Sequence, residues 1–94
     1  RIDSAEAVRI GLVDRVLPDA ELWNATMEVA RTISGNAPLA IQAAKITIAE
    51  VLKDESRRDM DAVKKIGMAC MDSEDFREGR TAFMEKRKPQ FRGK

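Results

Sequence analysis

The sequence has no histidine and no tyrosine, and only one cysteine and one tryptophan among its 94 residues. Without an imidazole, this chain holds no Ser-His or Cys-His nucleophile pair. A lone Cys70 permits no intrachain disulfide, which fits a reducing compartment. It reads as a small core residue on the apolar side of a helix. No Cys or His pair has metal-ligand spacing, and there is no glycine-rich phosphate loop. No apolar run approaches the ~20 residues of a membrane span, and the N-terminus does not read as a signal peptide. The first residue is Arg1 rather than methionine, so the expectation is that the sequence starts inside a longer protein.

Apolar residues make up 44% of the chain and charged residues 35%, a balance that suits one small helical domain over residues 1–94. The net charge of +1 argues against a nucleic-acid binder by composition. The charge is unevenly placed. Residues 77–94 hold seven basic and two acidic residues, whereas residues 1–76 hold ten and fourteen. The positive field therefore sits at one end.

The patterning predicts five helices and one short extended piece, a mainly α fold. In "DSAEAVRIGLV", Asp3 or Ser4 can cap the first helix and Gly11 can end it in a left-handed turn, with Leu12 folding back. "VDRVL" has strand-like β-branched content closed by Pro18, but a single strand has no partner here. Asp19 is expected to cap a second helix carrying the stripe Leu22, Thr26, Val29, Ala30 and Ile33, with Gly35 stopping it. Pro38 suits the first turn of a third helix that is apolar on most sides. Such a helix needs burial on several faces. A fourth is expected from about Ser56 to Met71. A fifth is capped by Asp72 or Ser73, takes Glu74 and Asp75 as partners for its dipole, and runs to about Arg87 before Pro89.

The last of these segments carries the ligand signal. All three phenylalanines, Phe76, Phe83 and Phe91, lie in it, and Lys86, Arg87 and Lys88 crowd the latter two. On a helix, Phe83 is a surface neighbour of Lys86 and Arg87, and Phe76 is expected on the same side, inside the core. An aromatic ring beside a cation can stack a base while the cation meets a phosphate. The bland alternative is that basic residues simply favour the helix C-terminus.

Three stretches resemble one family. "DSAEAVRIGLVDRVLP", "ISGNAPLAIQAAK" and "SEDFREGRTAFMEKRKPQFRGK" are similar, in that order, to the C-terminal region of the enoyl-CoA hydratase/isomerase (crotonase) superfamily. The resemblance implies a helical lid and oligomerisation segment over residues 1–94, with residues 1–18 leading from a separate catalytic core. It implies acyl-CoA thioesters as ligands, no further cofactor, trimers or hexamers, no nucleic acid and no membrane. It also implies a cytoplasmic or mitochondrial-matrix location. The oxyanion-holding N–H groups and the two glutamates of hydration belong to the family's core, so nothing catalytic carries over and this segment alone should be inactive. The CoA clamp does carry over, with Phe83 near the adenine and Lys86 near the phosphates. A free-standing helical interaction module is the alternative from another class. A nucleic-acid-binding bundle using the basic tail is the weakest reading, since no recognition-helix motif supports it.

Overall fold

Five α-helices and no strand form in the computed structural model, which describes residues 1–94: α1 (Ser4–Arg9), α2 (Asp19–Ser34), α3 (Pro38–Val51), α4 (Met60–Asp72) and α5 (Glu74–Met84). The mainly α expectation of about five helices holds. Contacts divide the chain into two compact units, Arg1–Arg31 and Thr32–Lys94.

In the first unit, Asp3 caps α1 by accepting the Glu6 N–H at 2.8 Å. Glu6 and Arg9 form a two-pronged pair with both N···O distances at 2.6 Å. Both side chains are exposed, so the pair adds little stability. Gly11, at φ 74°, ends α1 in the expected left-handed turn. Its N–H donates to the Val8 carbonyl at 3.1 Å and the Leu12 N–H folds back to Ala7 at 2.9 Å. The short extended piece expected at Val13–Leu17 does not form a strand, because no ladder partner is present, and both valines are exposed. The Pro18 carbonyl accepts the first bonds of α2, from Glu21 and Leu22. Asp19 is thus the first helical residue, where it favours the positive end of the dipole, and not the cap. The expected stripe of α2 is not covered: Leu22, Val29 and Ile33 are about half exposed, and Trp23 is 72% exposed.

In the second unit, the Asn36 amide closes α2 by donating to the Thr32 and Ile33 carbonyls. α3 starts at Pro38 as predicted. It packs on α4, which also touches α5. The expected α4 start at Ser56 is wrong by four residues. Arg58 turns back and donates to the Val51 and Lys53 carbonyls, both at 3.1 Å, which satisfies the end of α3. Asp59 then caps α4 through the Ala62 N–H at 2.9 Å. Glu50 ties the two ends together by accepting the Asp59 N–H and the Lys53 ammonium. Those contacts, the backbone one foremost, hold its carboxyl below the usual range.

Ser73 sits at the joint of α4 and α5. Its hydroxyl donates to the Cys70 carbonyl at 2.6 Å and accepts the Phe76 N–H at 3.0 Å, so one buried side chain ends one helix and caps the next. Cys70 itself is half-buried. Ala82 is the one buried apolar residue, and Ile48 and Val51 of α3, Leu52 just beyond it, and Met60, Met68 and Met71 of α4 stay exposed. The burial that the apolar third helix calls for is not supplied within the chain. No helix is long and apolar enough to cross a membrane.

Candidate functional site

α5 and the seven residues that follow Arg87 form one clasped structure. Asp75 and Glu78 are three apart, so they stand on one side of α5. Asp75 is only 2% exposed, and its carboxylate accepts the Arg92 and Gly93 N–H groups, each at 2.7 Å. The Asp75 N–H in turn donates to the Lys94 carbonyl at 3.0 Å. Gly93 is at φ 73°, and a Cβ there would sit 3.7 Å from the Pro38 ring. One turn further along α5, the bare backbone of Gly79 seats the Phe91 ring.

Glu78 is the second anchor. It accepts both terminal nitrogens of Arg87, at 2.6 and 2.9 Å, and the Gln90 N–H at 2.8 Å. Arg87 also donates through Nε to Glu85 at 2.5 Å. The Arg87 guanidinium, then the Gln90 N–H, depress the Glu78 carboxyl to about 2. The same two carboxylates push the Arg87 guanidinium up. A groove lined by Glu74, Asp75, Glu78, Arg87, Gln90 and Arg92 runs along this seam.

These contacts explain where the fifth helix stops. It ends at Met84, not near Arg87, because Lys86 adopts a left-handed backbone at φ 53°. The Lys86 N–H donates to Phe83 at 3.2 Å and the Arg87 N–H to Ala82 at 3.0 Å, the same paired closure that Gly11 makes after α1. Lys86 therefore does not stand three along a helix from Phe83, as the sequence suggested. The two are instead joined by that backbone bond across the turn. Phe83 is 82% exposed, and none of the ion pairs of the tail uses Lys86 or Lys88. Arg87 is taken up by the fold.

The three phenylalanines separate into different environments. Phe91 is half-buried on Gly79, and Phe83 projects into solvent. Phe76, expected in the core, is 41% exposed, because the buried side of α5 is the one bearing Asp75 and Ala82. The clasp was not legible beforehand, and Asp75 read as a dipole partner. The one available signal was two acids at i,i+3 in a helix followed by a basic tail.

The architecture is that of a helical segment of the crotonase fold. An enoyl-CoA hydratase from Bacillus anthracis superposes with a TM-score of 0.87 at 31% identity, over 97% of this chain and 35% of that one. The family described as enoyl-CoA hydratase/isomerase matches residues 1–94, and the chain belongs to that family. It is 38% identical to the enoyl-CoA hydratase EchA19 of Mycobacterium tuberculosis, over 99% of this chain and 35% of the relative. It is 40% identical to the methylmalonyl-CoA decarboxylase of Escherichia coli K12, over 98% and 36% respectively. A carnitinyl-CoA dehydratase of the same bacterium is 39% identical over the whole chain. The chain thus spans about a third of the length of the curated relatives it matches.

Proposed function

We propose that this chain is the CoA-gripping and self-associating helical portion of an enoyl-CoA hydratase-like enzyme. It works beside a catalytic core that supplies the oxyanion-holding N–H groups and the acid and base of hydration. One observation carries the reading. The relatives similar to this chain are named for hydration, decarboxylation and dehydration, yet every one of these names contains a CoA ester. A segment alike in all of them serves what they share, not what distinguishes their chemistry. The exposed Phe83 ring and the unpaired Lys86 ammonium give that role a physical form: a face for the adenine and a cation for the adjacent phosphate. The exposed apolar residues of α3 and α4 serve assembly.

The test compares CoA with dephospho-CoA, which lacks the 3′-phosphate, by NMR titration of the chain. A charge-assisted contact screened by water corresponds to about tenfold in affinity. Lys86→Ala should therefore weaken CoA about tenfold and leave dephospho-CoA nearly unchanged. Phe83→Ala should weaken both alike, since both keep the adenine. Equal loss of the two ligands on Lys86→Ala would remove the phosphate contact from the reading.

A further inference from the structure

Lys86 is an L-residue in a conformation that suits glycine, and it is the residue to which the phosphate contact is assigned. Its own side chain makes none of the tail's ion pairs, so it does nothing to hold the turn. The residues around it do. Arg87, immediately after it, is fixed at both ends: Glu85 takes its Nε and Glu78 takes both terminal nitrogens. Glu78 also binds the Gln90 N–H, beyond the turn. Four donor–acceptor contacts thus lock the chain on either side of a single strained residue. Strain of this kind persists only where the surroundings over-determine it.

We infer that Glu78 is a positioning residue for the CoA 3′-phosphate, acting through Arg87 to hold Lys86 in the left-handed turn that sets where its ammonium points. The inference rests on the proposed role of Lys86, and it adds a residue that touches no ligand. Its physical content is that a right-handed Lys86 would continue α5 by a turn. The Lys86 Cβ would then leave the backbone in a different direction and carry the ammonium to a different place. Glu78 prevents this because a bidentate guanidinium–carboxylate pair tolerates little change of geometry. A long-range charge effect would not depend on that geometry. Asp75 is not part of this device, since its partners, Arg92 and Gly93, lie at the far end of the tail.

The experiment uses the labelled chain and its Glu78→Gln, Glu78→Asp and Lys86→Ala variants. Two quantities are read in each. One is the intraresidue amide-to-Hα nuclear Overhauser effect of residue 86, which is strong only at positive φ. The other is the ratio of affinities for CoA and dephospho-CoA. Wild type should show the strong signal and an affinity ratio of about ten, the value a screened charge-assisted phosphate contact gives. Glu78→Gln should lose the strong signal and most of the ratio, while dephospho-CoA affinity stays within about twofold. Glu78→Asp, which keeps the charge, should recover part of both. The Arg92 and Gly93 amide shifts report whether the Asp75 clasp, and so the fold, survives in each variant. If Glu78→Gln disrupts them, Glu78→Asp decides by whether signal and ratio fall together. Retention of the ratio after the residue 86 signal is lost overturns the inference, and so does loss of the ratio with the signal intact. If Lys86→Ala itself leaves the ratio unchanged, the phosphate contact fails first, a result distinct from either of those.

Discussion

Lys86→Gly separates what the turn costs from what the side chain does. A residue with a Cβ loses roughly 1–2 kcal/mol in the left-handed region, where glycine loses almost nothing. Against this, glycine gives the unfolded chain more freedom, worth about 0.4–1 kcal/mol. The net expectation is that Lys86→Gly stabilises the second unit by about 0.5–1 kcal/mol, a rise in melting temperature of roughly 2–8 °C for a chain of this size. The molecule contains its own control. Gly11 closes α1 by the same pair of backbone bonds at φ 74°, and a methyl group there would meet nothing within 4 Å. Gly11→Ala measures the backbone term free of packing, and should cost about what Lys86→Gly gains. Lys86→Ala keeps the strain and should melt within about 0.5 kcal/mol of wild type, as exposed substitutions do. Both Lys86 variants lose the ammonium and should bind CoA about tenfold more weakly. Stability and ligand affinity therefore move in opposite directions in the glycine variant. Thermal melts followed by circular dichroism, beside CoA titrations of the same samples, make the measurement. A Lys86→Gly chain that melts at or below the wild-type temperature would refute the strain argument, whatever happened to CoA.

Asp75→Ala leaves the Arg92 and Gly93 N–H groups without their acceptor, and both regain water only if the tail frays, so the loss should be about 2 kcal/mol, with faster protease cleavage after Arg87; a tail that stays equally protected would contradict the clasp. The Glu78 carboxyl titrates near 2 in the folded chain against 4.5 in ordinary circumstances. Since the folded value is the depressed one, its contribution to stability is complete above pH 4.5 and is lost as the pH falls from there towards 2. Carbon NMR of the Glu78 carboxyl across that window gives the check, and titration at the ordinary value would mean that the Arg87 contact does not persist in solution. Self-association should follow from the exposed Ile48 and Val51 of α3 and Leu52 at its C-terminal end. Light scattering at micromolar concentration should show dimers or larger species, and Ile48→Lys with Leu52→Lys should yield monomer; a monomeric wild type would remove the assembly role.

The helices and many of their ends were set by local chemistry, which one sequence carries in full. Gly11 announced its own left-handed turn because no other common residue takes φ 74° without cost. Pro38 opened α3 because a first-turn position needs no N–H. Ser73 capped α5 through an amide three residues on. The short strand expected at Val13–Leu17 did not form, because a strand needs a ladder partner that a local sequence pattern cannot supply. The site belonged to a different class of fact. That Arg87 is spent on Glu78 while Lys86 remains free depends on contacts nine residues apart, and the Asp75 clasp spans seventeen and eighteen. No periodicity encodes a backbone N–H that returns to a carboxylate from so far along the chain. The left-handed Lys86 was equally hidden, since its residue type argues against that turn and only the surrounding bonds impose it. The order of residues alone placed a ring and a block of positive charge together; tertiary structure decided which of those charges the protein pairs, Arg87, and which it leaves unpaired, Lys86 and Lys88.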